Sequence, residues 1–148
     1  MKSYRKFSNF IQFRHERLGL PECPYLIRWT LILFGFSLRL HHWLRSDDDR
    51  FYHDHSCDFL SIVLWGSYTN CTPEADHPVR AISAWRSTAL QRHYLRIPEG
   101  GAWTILLCGR PYHKWGFYVP RSTDGEVRRM RPLEYFSRYG IRQTEDYQ

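Results

Sequence analysis

The stretch Phe51-Tyr52-His53-Asp54-His55-Ser56-Cys57-Asp58-Phe59-Leu60-Ser61-Ile62-Val63-Leu64-Trp65-Gly66 carries the pattern that decides the fold. It places two histidines, separated by one residue, ahead of an apolar run that ends in glycine. Residues two apart on an extended strand project from the same face, so His53 and His55 can converge on one ion without the chain folding back. Histidine is the commonest metal ligand, but two ligands do not make a tight site, and a third must come from elsewhere. An HxH pair also occurs as a solvated pair at a strand edge, so the pair by itself decides nothing.

Around this stretch the chain reads as a series of short β-prone runs punctuated by turn signals. Strands are predicted near residues 25 to 34, 36 to 44, 51 to 56, 59 to 68, 79 to 86, 92 to 97, 102 to 108 and 112 to 119. The breaks between them are Ser46-Asp47-Asp48-Asp49, the longer Thr72-Pro73-Glu74-Ala75-Asp76-His77-Pro78, and the tight turn Pro98-Glu99-Gly100-Gly101. Many short strands at this spacing point to an all-β sandwich or barrel. Over residues 4 to 18, Phe7, Phe10, Ile11 and Leu18 fall near helical spacing, which predicts a short amphipathic N-terminal helix stopped by Gly19 and Pro21. Pro132 to Gly140 reads as a short helical segment near the other end.

The chain has 148 residues, which fits a single domain over 1–148 with a barrel core at about 25–119. Aromatic residues make up 17% of it, a content that disfavours disorder and suits half-buried strands. The net charge of +6 rests almost wholly on arginine, whose planar fork recognises carboxylate and phosphate. No dense basic block or nucleic-acid motif accompanies that charge, so a nucleic-acid partner is disfavoured. Cys23, Cys57, Cys71 and Cys108 lack CxxC spacing, which argues for free thiols rather than a zinc knuckle or a redox pair. The most apolar stretch, Tyr25 to Leu40, is broken by Arg28 and Arg39, and no secretory h-region follows Met1. The expectation is a cytoplasmic protein with no membrane partner.

With these residues in place, the chain resembles the cupin superfamily. The first cupin motif is written as HxH, a short spacer, a Glu, six residues and a Gly; counting back from Gly66 puts Phe59 where the Glu belongs. The second motif supplies one histidine from a later strand, and His93 in Gln91-Arg92-His93-Tyr94-Leu95-Arg96-Ile97 has that place, although the Gly, Pro and Asn positions around it are not reproduced. The resemblance covers roughly residues 36 to 119. Trp115-Gly116-Phe117, after Cys108-Gly109-Arg110-Pro111, is similar to a closing segment of small cupin-like proteins of bacteria and phages that share the HDH strand.

The resemblance implies a jelly-roll barrel and a metal held by His53, His55 and His93. Some cupins, the thiol dioxygenases among them, hold iron with three histidines and no carboxylate, which leaves positions open for substrate and oxygen. Fe(II) is therefore the favoured ion, while Zn, Ni, Cu and Co suit the same ligands. Asp58 is the candidate for a fourth ligand, although strand parity sets it opposite His53 and His55 unless a bulge intervenes. Tyr68, Arg86, Trp103 and Trp115 are candidates for contact with substrate, on strands expected to border the histidines; core packing and surface exposure are the plainer readings of the same residues. His41 and His42 are adjacent, so at most one points inward, and a structural role is expected of both. His77 and His113 read as solvated, and His15 has no partner that the sequence identifies.

No GxSxG elbow or phosphate-cradling glycine loop is present, so nucleophilic hydrolysis and nucleotide binding are unsupported. The expected function is that of a metal-binding cupin acting on a small anionic molecule, as a non-haem iron dioxygenase-type enzyme. A non-catalytic cupin-fold module that captures a small ligand or a protein is the alternative. A homodimer is the assembly that the family implies.

Overall fold

The computed structural model describes residues 3–6, 10–46, 51–121 and 125–139. Hydrophobic alternation and aromatic runs organise them into eleven strands and one helix. In chain order these are β1 (Ser3–Lys6), β2 (Ile11–Leu20), β3 (Cys23–Leu33), β4 (Phe36–Trp43), β5 (Phe59–Cys71), β6 (Asp76–Arg80), β7 (Ala84–Ser87), β8 (Tyr94–Arg96), β9 (Ala102–Cys108), β10 (Phe117–Pro120), β11 (Val127–Met130) and α1 (Pro132–Tyr139). The main sheet runs β1-β2-β3-β4-β9-β5-β6, with β7 and β8 also paired to β5, and the pairings are antiparallel. Its hairpins β2–β3 and β3–β4 need only tight turns, at Pro21-Glu22 and at Phe34-Gly35, and Gly19, with positive φ, makes the register shift next to the first.

The thirteen-residue β5 turns the corner of the fold. Its first half, Phe59 to Gly66, pairs with β9 and, over Phe59 to Ile62, with β7; its second half, Ser67 to Cys71, pairs with β6 and β8. A register shift between Val63 and Trp65 and a φ of 76° at Gly66 make the change of partner. A Cβ at Gly66 would run into the Gly101 carbonyl and the Ala102 backbone, so a left-handed conformation and a close approach both require glycine there. The glycine that ends the apolar run in the sequence is the corner residue of the structure.

A second wall forms beyond that corner. His93 immediately precedes β8, and its backbone N–H and C=O exchange two 2.9 Å hydrogen bonds with those of His53. His53 also bridges to Phe117 at the head of β10, and β10 pairs with β11. Helix α1 covers this wall by stacking Tyr135 on Phe117 at 3.7 Å between ring centroids, within a cluster that includes Val119, Met130 and Phe136. Between the two walls lies a cavity of about 310 Å³.

The main sheet turns an unusually polar face to this cavity. Glu16, Arg28, Thr30, Arg39, His41 and Thr104 line it, while alternation sends Leu33, Leu38 and Leu107 outward, where they are exposed. An apolar cluster of Leu18, Tyr25, Leu26, Trp43, Val63, Tyr68 and neighbours packs beside these polar groups. A buried polar wall costs free energy unless it meets partners, so its chemistry belongs to the site rather than to the core.

The all-β fold with a short C-terminal helix agrees with the sequence reading, and the strands at 25 to 34, 36 to 44, 59 to 68 and 102 to 108 lie close to their expected bounds. The N-terminal helix does not form. Residues 3–6 and 11–20 are strands, because β2 pairs with β3 over its full length and places Glu16 and Leu18 inward by period two; residues 7–9 lie outside the described residues. The 51 to 56 segment is extended but has only the isolated bridge at His53. The expected strand at 79 to 86 is two strands broken by a turn at Ala81 and Ile82, and β11 falls outside the expected strands. Most of the Asp-rich loop, 47–50, lies outside the described residues.

Gly66→Ala tests the corner. The substitution should cost about 2–3 kcal/mol, read as a lower urea midpoint with unchanged slope, because strain and a backbone collision coincide.

Candidate metal centre

The backbone pairing of His53 with His93 puts two imidazoles on facing segments, and the period of two along the extended chain brings His55 beside them. One ring nitrogen from each of His53, His55 and His93 lies within 4.8 Å of the others. Nε2 of His55 and Nε2 of His93 are 2.6 Å apart. Asn70 on β5 sets the tautomer of His93, whose Nδ1–H donates to the Asn70 carbonyl oxygen and leaves Nε2 as a lone-pair donor. Burial, and then the neighbouring histidines, hold the pKa of His55 and of His93 well below the ordinary value. Both rings are thus neutral near pH 7, in the form that ligates a metal. In the absence of a cation, His55 Nε2–H can donate to the His93 Nε2 lone pair; with the proton on the other nitrogen of His55, both Nε2 atoms are free to ligate, and the donor set fits a divalent transition metal.

Asp54, the residue between the two histidines, explains why they converge. Parity sends its side chain the other way, into complete burial, where it is 0% exposed. There Oδ1 accepts the Gly116 N–H at 2.6 Å, and Oδ2 accepts from Tyr118 Oη and His113 Nε2 at 2.9 Å each and from Arg129 Nε at 3.2 Å. Burial works to raise the pKa of this carboxyl, but the bonds from His113, Arg129, Gly116 and Tyr118 outweigh it and hold the value below the usual carboxylate range. Arg129 also donates to the Lys114 carbonyl, so the ion pair clamps the segment before β10. Gly116 is needed for this approach, since a Cβ there would meet the Met130 carbonyl. The Trp115-Gly116-Phe117 segment therefore docks on Asp54, and its Trp115 ring lies 6.3 Å from His53 along the cavity wall.

Phe59 faces the cavity from the start of β5, its ring edge-on to His55 with centroids 4.8 Å apart. An aromatic ring thus stands where the motif would place a carboxylate. Asp58 is not brought to the histidines: its Oδ1 accepts from the Ala89 N–H at 2.8 Å and the Tyr112 hydroxyl at 2.6 Å, outside the cavity lining. The chain bends at Ser56 and Cys57, and these two bonds hold the carboxylate away from the imidazoles.

Of the residues expected to touch substrate, Tyr68 and Trp115 line the cavity, and Tyr68 Oη lies 3.4 Å from Ser61 Oγ. Arg86 and Trp103 do not. Arg86 is exposed on β7, and Trp103 stacks on His42 at 4.1 Å on the outer face of the sheet. The charges that face the cavity come instead from Arg14, Glu16, Arg28 and Arg39, with Arg28 Nε bonded to Glu16 at 2.8 Å. His113, read as solvated, is instead a partner of Asp54. Sequence reasoning misses Asp54, Asn70 and the inward arginines; the period of two through β2, β3 and β4 is the signal that could have found the arginines.

Solved structures share the fold of this chain. The Fe(II) form of HppE bound to the alternative substrate (S)-1-HPP superposes with a TM-score of 0.52 at 12% identity, over 66% of this chain and 56% of that one. The fold is cupin-like. A second Fe(II) HppE structure gives 0.52 at 13% identity over 64% and 56%, and a chain from the structures of the DMSP lyases RdDddP and RnDddQII gives 0.53 at 14% identity over 66% and 56%. This cupin-like chain spans little more than half the length of those proteins. No family model and no curated protein matches it. No helix among the described residues is long and apolar enough to cross a membrane.

Two outcomes test the site. Asp54→Ala removes a fully buried acceptor and the counter-charge of Arg129, and should cost about 3–5 kcal/mol in chemical denaturation. The milder Asp54→Asn should fold and yet bind metal at least tenfold more weakly, measured by competition with a chelator. For the metal-free protein, His41, His55 and His93 are all depressed below the unfolded value of about 6.5. The unfolded chain binds more protons below that value, so their contribution is intact above about pH 6.5 and is lost as pH falls. The melting temperature of the metal-free protein should accordingly drop as pH falls below about 6.5.

Proposed function

We propose that this chain is a metal-dependent cupin enzyme in which His53, His55 and His93 hold one divalent transition metal, with Fe(II) favoured. The observation that supports this most strongly is the convergence of three imidazoles, one of them oriented by Asn70, at the wall of a cavity sized for a small molecule. Iron bound by three histidines and no carboxylate would supply oxygen chemistry, so a dioxygenase-type reaction is the favoured one; Phe59 beside His55 favours the three-histidine set over a histidine–carboxylate set. HppE, whose Fe(II) form has been solved with an alternative substrate, supports the reading as an iron protein on a similar fold. With zinc in the same place, three histidines and an open position would favour an activated water instead.

The chain's own residues have definable roles in this reading. Asn70 orients His93. Asp54 fixes the backbone that presents His53 and His55. Trp115, Phe59 and Phe117 supply apolar wall next to the imidazoles and limit access of water. The arginines of the facing sheet give the cavity a positive character, which suits a small anionic substrate.

Metal analysis of protein purified without added ions should find close to one equivalent, reduced to less than a tenth of that in His53→Ala and in His93→Ala. An Fe(II)-loaded sample should then consume oxygen with a small organic acid or thiol. Metal content that the histidine substitutions leave unchanged would overturn the assignment; stoichiometric metal with ligand-induced thermal shifts but no turnover would favour the binding module.

A further inference from the structure

His41 is a buried polar side chain with nothing to bind. It is 4% exposed, it lines the cavity from β4, and neither Nδ1 nor Nε2 has a hydrogen-bond partner among the described residues. A buried ring with one N–H and one lone pair both unmet costs free energy that a water or a ligand group must recover. Two residues earlier on the same face of β4 stands Arg39, also in the cavity lining. Its Nε donates to Ser37 Oγ at 3.1 Å, which fixes the stem of the fork and leaves the terminal nitrogens uncommitted among the described residues. Arg28, by contrast, is tied to Glu16. Arg39 shares the cavity lining with His41, His55, Cys57 and Cys108, and its positive charge acts on all four.

We infer that Arg39 and His41 form an anion subsite on the inner wall of β4, which takes the oxoanion of a small bifunctional substrate and leaves the rest of that molecule to reach the three histidines. The guanidinium terminus supplies two parallel N–H donors to two oxygens, and the neutral imidazole adds one N–H donor. Placing the anionic group here keeps it off the metal ligands, so the substrate carries its charge at one end and its reacting atoms at the other. Carboxylate and phosphonate share this chemistry. The inference rests on the three-histidine reading for the second half of that statement, while the subsite itself stands on β4 alone.

The test uses the whole chain, with acetate and methylphosphonate as probes in calorimetric titrations of metal-free protein, repeated at raised sodium chloride. Binding of either probe, weakened at least tenfold in Arg39→Gln and partly restored in Arg39→Lys, is the expected result, and the stronger probe identifies the oxoanion. Exposed Arg86→Gln is the control and should bind like the parent. His41→Phe should weaken the probe about tenfold and leave the melting temperature equal or higher, because it removes an unmet buried polar group; a merely structural histidine would lower it. His53→Ala should lose Co(II) uptake, read from the visible spectrum, and keep the probe. Probe binding that survives both Arg39→Gln and His41→Phe, or that falls equally in Arg86→Gln, overturns the subsite. Probe binding with no Co(II) uptake by the parent would leave the subsite standing and remove the metal centre instead.

Discussion

A buried carboxylate cannot remain charged without partners, and Asp54 meets that constraint by drawing four donors to itself from the later part of the chain. The His113 ring, the Gly116 N–H, the Tyr118 hydroxyl and the Arg129 guanidinium are each held in place by the bond they give. Because Asp54 lies between His53 and His55, the same bonds that satisfy it fix the direction of both imidazoles. The second wall of the fold and the candidate metal centre thus share one origin. Removing the carboxylate would leave these donors without their acceptor and Arg129 without its counter-charge, which is why the cost falls on stability and geometry together.

The other half of the site follows from an inversion of the usual pattern. On β3, β4 and β9 of the main sheet, much of the polar and charged set turns inward and many of the large apolar residues turn outward. Such a wall is tolerable only if its groups pair or bind something. Arg28 pairs with Glu16, and Trp43 Nε1 donates to Thr104. Arg39 and His41 are the members whose capacity is least used, and they face a cavity that also holds His53, His55 and His93. A cavity lined on one side by imidazoles and on the other by guanidinium groups is built for a small polar molecule rather than for packing.

The legible part of this arrangement is local. The HxH spacing, the glycine at its end and the later His93 can be read because strand periodicity and a fixed turn position are properties of the nearby chain. Phe59 in place of a carboxylate is equally visible, and its ring stands against His55. The N-terminal segment misleads because its apolar spacing over residues 4 to 18 resembles a helix, whereas ten residues of pairing with β3 decide in favour of a strand. Arg86 and Trp103 belong to strands that border the site, but the parity of β7, which turns Trp85 inward, and that of β9 send them out.

By itself, the sequence determined an all-β chain of short strands, an HxH spacing that ends at Gly66 and a candidate set of three histidines. These depend on period, spacing and the conformational freedom of one glycine, all of which act over short distances. Only the tertiary structure decided that Asp54 anchors the HDH segment, that Asn70 orients His93, that Asp58 is held by Ala89 and Tyr112, and that Arg39 and His41 rather than Arg86 face the site. Each of those depends on which distant strand lies opposite, and a buried charge or an unmet imidazole acquires meaning only once its surroundings are in place.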